Sequence, residues 1–141
     1  MPINTEILNR CILTLEKSYD AIKSAEVGSI DYEMYRNSLV KSFELTLEQA
    51  GKLLKKRITP FFATNKAVDT LFFKDIFRNA FKHSLISQEE TERWLLYRDN
   101  RNNTAFDYGK AFAEETLGLI DTFIIDVKNL KKVIENNVQI Y

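Results

Sequence analysis

Glycine occurs four times and proline twice in 141 residues, so the backbone has few places to reverse and must be assembled from long uninterrupted elements. Apolar residues return mostly every four positions from Ile3 through Ile7, Cys11, Leu15 and Tyr19 to Ile22, with Leu8 and Ile12 widening the stripe. That period predicts an amphipathic helix over about residues 3–26. It recurs at Leu39, Phe43, Leu47, Ala50 and Leu54, and again at Phe112, Leu119, Ile120, Phe123, Val127, Leu130 and Ile134. These two stripes predict helices over about 32–57 and from Tyr108 or Gly109 to about Asn137.

The punctuation between the stripes fits the same plan. Gly28 suits a left-handed stop after the first helix, and Asp31 can cap the second. Thr59-Pro60 ends the second, because proline disfavours helical geometry in the residue before it. Asn65 or Asp69 can cap a helix from Leu71 to about Ser84, whose Phe72, Phe73, Phe77 and Phe81 suit either a core or an oligomer face. Ser87-Gln88-Glu89-Glu90 is a capping box that starts a short helix through Trp94 to about Asp99. Together these elements predict an all-α, antiparallel up-and-down four-helix bundle with an additional short helix. The expectation is one domain over residues 1–141, with a surplus of large apolar side chains pointing to a homodimer.

Composition narrows the function. Lys+Arg and Asp+Glu are both 20, so no global positive field draws in nucleic acid, and any such contact needs a local patch. Lys52, Lys55, Lys56 and Arg57 form the one basic run, readable either as a solvated helix end on the negative pole of the dipole or as such a patch. A single cysteine, Cys11, excludes an intramolecular disulfide; it sits among apolar neighbours as a buried, inert thiol and suits a reducing cytoplasm. The first residues lack a basic stretch followed by an apolar run, so no signal peptide is expected, and no apolar stretch is long enough to span a membrane.

Most familiar chemistries are missing. His83 is the only histidine, so histidine-based nucleophile activation has nowhere to reside, and it reads as a helix-end residue. No cluster has metal-ligand spacing, no glycine-rich phosphate loop occurs, and nothing calls for a cofactor. What stands out is residues 98–108, where Arg98, Asp99, Asn100, Arg101, Asn102, Asn103 and Thr104 follow one another with no apolar side chain. One reading is a functional turn in which Arg101 contacts a phosphate or carboxylate. The other is a cap and turn with Arg101 paired to a carboxylate.

Three blocks give the chain a resemblance to a known family. The first is Arg36-Asn37-Ser38-Leu39-Val40-Lys41-Ser42-Phe43-Glu44-Leu45-Thr46-Leu47-Glu48, with Lys52 following. The second is Arg78-Asn79-Ala80-Phe81-Lys82-His83-Ser84-Leu85-Ile86, where the family has glycine at the position of Ser84. The third is Trp94-Leu95 with Arg101-Asn102-Asn103-Thr104-Ala105-Phe106-Asp107-Tyr108. In order and spacing they resemble the nucleotidyltransferase substrate-binding proteins, the HepT-like branch of the HEPN superfamily.

The resemblance implies a HEPN helical bundle, a homodimer, and a small nucleotidyltransferase partner encoded nearby. In active members an Arg-x-x-x-x-His motif cuts RNA, and the tyrosine two residues past the histidine receives AMP from the partner. Carried over, Arg101 is the phosphate-binding arginine, Asn102 and Thr104 its support, and Tyr108 the acceptor. Phe106 occupies the histidine position, Asn100 an aspartate position and Ala105 one usually small and polar. A phenyl ring cannot move a proton, and such help is typically worth about 10²–10⁴-fold. The implied protein is therefore a non-catalytic partner or substrate-binding subunit, with Arg101, Asn102, Thr104 and Phe106 lining a cleft for a nucleotide, an RNA or the partner. The alternative is a toxin ribonuclease of a toxin–antitoxin pair, working through Arg101 and Tyr108.

Overall fold

The computed structural model describes the backbone of residues 2–104 and 110–136, and the side chains of 2–101 and 114–136. The helices are α1 (Glu6–Ser24), α2 (Ile30–Ile58), α3 (Asn65–Asp69), α4 (Phe73–Lys82), α5 (Gln88–Thr104) and α6 (Lys110–Glu135), with a 3₁₀ turn at Thr59–Phe61. The architecture is an all-helical, antiparallel up-and-down bundle of α1, α2, α5 and α6, with α3 and α4 carried between α2 and α5. Side-chain bonds fix the directions. Tyr32 and Glu114 join the N-terminal ends of α2 and α6, whereas Arg57 reaches Val133 and Asn136 at their C-terminal ends, so these two run the same way. Arg93 meets Asp126 and Asn100 meets Thr116, which sets α5 antiparallel to α6.

The caps explain where the chain turns. Ser29, rather than Asp31, caps α2: its Oγ accepts from the Tyr32 N–H at 3.1 Å. Serine sits two positions earlier, immediately before the helix, and has the extended backbone that a cap requires. Gly28 does not stop α1, which ends at Ser24; instead it fills the third position of the turn Glu26–Ser29 with φ +90. That conformation costs glycine little and other residues more. The Ser87–Glu90 capping box forms reciprocally, each bond at 3.0 Å. At the end of α4, Leu85 N–H bonds to Ala80 O and Ser84 N–H to Phe81 O, a Schellman arrangement with Ser84 in the left-handed position at φ 61.

The buried face of α1 is Leu8, Ile12, Leu15, Ser18 and Ile22. The stripe expected through Ile3, Ile7 and Cys11 is therefore rotated, and Ile7 is 64% exposed. The two possible stripes lie next to each other on one helix, and packing against α2 chooses between them. Cys11 is only partly buried, and that burial raises its thiol above the ordinary value.

Aromatic rings link the central elements. Phe77 of α4 stacks on Trp94 of α5 at 4.8 Å, and Trp94, Tyr97, Phe43 and Phe123 meet edge to face. Helix α4 approaches α2 closely because Gly51 lacks a side chain: a Cβ there would lie 2.8 Å from the Phe73 ring. Asp126, 1% exposed, binds Arg93 through both carboxylate oxygens and accepts from the Tyr97 hydroxyl at 2.6 Å.

Candidate functional site

Arg101 lies in the last turn of α5, and its Nη2 donates to Glu48 Oε1 of α2 at 3.0 Å. Both side chains reach solvent, so the pair contributes about 0–1 kcal/mol. It orients the guanidinium more than it stabilises the fold, and an incoming phosphate or carboxylate can take the place of Glu48. Lys52, exposed one turn beyond Glu48, adds a second cation on the same face of α2.

The backbone beneath Arg101 is anchored. Asn100 is 2% exposed, and its Oδ1 accepts from Thr116 Oγ1 at 3.1 Å, pinning the end of α5 to α6. The amide that departs from the resembled aspartate thus has a structural task. At the N-terminal end of α6, the Tyr32 hydroxyl donates to Glu114 at 3.0 Å; burial first, and this bond second, raise its phenol above the ordinary range.

The segment expected as a turn is helical through Thr104, so Arg98, Arg101 and Asn102 all belong to one helix. Of the expected site residues, Arg101 has a described side chain. Asn102 and Thr104 lie in the last turn of α5 with side chains outside the described residues, and Phe106 and Tyr108 lie outside the described residues altogether. Sequence reasoning missed Glu48 as the partner of Arg101. Its signal was present, since it closes the first of the three blocks, but nothing in a linear pattern pairs it with a residue 53 positions away. His83 caps the end of α4 and stacks on Phe61 with ring centroids 4.1 Å apart, which makes it part of the scaffold. Among the described residues no group of three or more His, Cys, Asp or Glu is placed to hold a metal ion. Among them, too, no helix is long and apolar enough to cross a membrane.

From residue 4 to residue 136 the chain matches the family described as nucleotidyltransferase substrate binding protein like. The chain belongs to that family. This member is 25% identical to the "Probable ribonuclease HepT" of Haemophilus influenzae over 128 residues, 88% of this chain and 86% of that protein. A solved Haemophilus influenzae structure, described as the fold of a substrate binding domain of a nucleotidyltransferase, superposes with a TM-score of 0.79 at 25% identity, covering 92% of this chain and 98% of the other. The fold is also shared with a tri-AMPylated Shewanella oneidensis HEPN toxin solved in complex with MNT antitoxin, with a TM-score of 0.63 at 14% identity over 94% and 98% of the two chains. The bundle is thus that of the nucleotidyltransferase substrate binding family, and its fold is one that a HEPN toxin shares.

Proposed function

We propose that this family member is a non-catalytic, homodimeric subunit that pairs with a small nucleotidyltransferase and presents a cleft around Arg101 to a nucleotide or to the partner. The observation that carries this reading is the arginine itself, fixed at the end of α5 by a solvent-exposed, exchangeable bond to Glu48. Phe106, five residues on, supplies no group able to transfer a proton, and this separates anion binding from RNA cleavage. Asn102 and Thr104 complete the cleft, and Tyr108 is the side chain on which the partner would place AMP.

The test is co-expression with the nucleotidyltransferase encoded at the same locus. Stable co-purification, with AMP found on Tyr108 by mass spectrometry, is the expected result. A transferase that neither binds nor modifies the chain removes the reading. The name of the Haemophilus relative favours a second reading, a ribonuclease acting through Arg101 and Tyr108. Growth arrest on expression that disappears with Arg101→Ala distinguishes it from the first.

A further inference from the structure

A second cationic notch lies between the N-terminal end of α4 and the middle of α5, lined by Phe72, Phe73, Lys74, Asp75, Arg78 and Arg98, with a cavity volume of about 380 Å³. Its lining carries three cations against one carboxylate, in a chain whose formal net charge is zero. Two of the three remain available. Lys74 is taken by Asp99 at 2.6 Å, but among the described residues the ion pair of Arg78 is with Asp75 alone, at 3.7 Å, and more than half of its side chain is exposed. Arg98 lies over the Phe73 ring, its guanidinium 4.9 Å from the centroid, and no described carboxylate lies within ion-pair distance. A guanidinium held by an aromatic face keeps its donors for an anion and is oriented beforehand.

Phe72 is the odd residue of this notch. It occupies the N-cap of α4, where Ser, Thr, Asp or Asn is favoured, and it is 79% exposed. Asp75 performs half of the capping by accepting the Phe72 backbone N–H at 3.1 Å, so the phenyl ring contributes nothing to the helix end. A position that breaks a local rule without a packing gain is where a functional demand is expected. An exposed ring beside two arginines matches one chemistry well: a nucleotide, with its base on the ring and its phosphate between the guanidiniums.

We propose that the α4–α5 notch is a nucleotide-binding site, with Phe72 stacking on the base and Arg98 and Arg78 holding the phosphate. It uses none of residues 101–108, so it stands or falls separately from the cleft around Arg101. The ligand is either a free nucleotide or one unit of an RNA strand.

The intact protein is titrated with ATP by calorimetry and with a fluorescently labelled oligouridylate by anisotropy at low salt. Phe72→Ser, Arg98→Gln and Arg101→Gln are compared with the parent, each with its melting temperature. Binding of either probe is expected to weaken about tenfold or more in Phe72→Ser and Arg98→Gln, and to persist in Arg101→Gln. Phe72→Ser should melt no lower than the parent, since serine is the better cap. A response to ATP alone marks a free nucleotide as the ligand, and a response to the oligomer alone marks RNA. Binding of neither probe, or binding that falls only with Arg101→Gln, overturns the proposal. It is overturned equally if Phe72→Ser and Arg98→Gln weaken capture of a nucleotidyltransferase while leaving both probes unbound or unaffected, because the notch is then a protein contact.

Discussion

Asp126 shows how much a single buried side chain holds in this bundle. It satisfies the forked guanidinium of Arg93 and the hydroxyl of Tyr97 at once, joining α5 to α6 from a position 1% exposed. Replacing it with alanine leaves two donors without an acceptor beside the aromatic core. Asp126→Ala should therefore cost about 2–4 kcal/mol, read from the urea midpoint, with Arg93 escaping part of the penalty by reaching solvent. Tyr97 gives the same triad a pH signature. Burial first, and the bond to Asp126 second, raise its phenol far above the ordinary value of 10. A folded-state value raised in this way contributes stability that is fully present below about pH 10 and is lost as pH rises toward the folded value. Melting temperature should fall on the alkaline side, and Tyr97→Phe should flatten that fall while losing about 1 kcal/mol at neutral pH. An alkaline limb equally steep in Tyr97→Phe excludes this account. The phenols of Tyr19 and Tyr32 are raised in the same sense and leave a residual slope.

Helix ends are where local chemistry and fold agree least evenly. The Ser87–Glu90 box was legible because both of its bonds are made by residues three apart, and the apolar periods of α2 and α6 were legible for the same local reason. The end of α5 was not. Arg98 to Thr104 has no apolar period to announce a helix, and its continuation depends on Asn100 meeting Thr116 of α6, sixteen residues away. The stop after α4 carries a different tension, since its Schellman geometry places Ser84 at φ 61, a conformation that penalises any residue with a Cβ. Ser84→Gly should relieve that penalty and raise stability by up to about 1 kcal/mol, measurable as a higher melting temperature with the aromatic near-ultraviolet spectrum unchanged. A drop in stability instead means that the Ser84 side chain has a role that the backbone geometry does not reveal.

At the scale of the whole molecule, the bundle directions follow from a few long-range bonds. Those bonds also gather the two ends of the described chain at one pole. Thr5 donates to Glu135 at 2.7 Å across a separation of 130 residues, beside the place where Arg57 grips the last carbonyls of α6. Arg101 belongs to the other direction of the bundle, because Asn100 beside it contacts the second turn of α6. Helix α6 is 26 residues long, and its axis alone sets these regions apart by a substantial part of its roughly 40 Å length. The chain is thus wired almost as a closed loop. A short tether from residue 136 back to residue 4 could close it, and the turn at Glu26–Ser29 offers a surface opening for new ends. Such a permuted chain would move its ends from the pole of Thr5 and Glu135 to the pole of Tyr32 and Glu114.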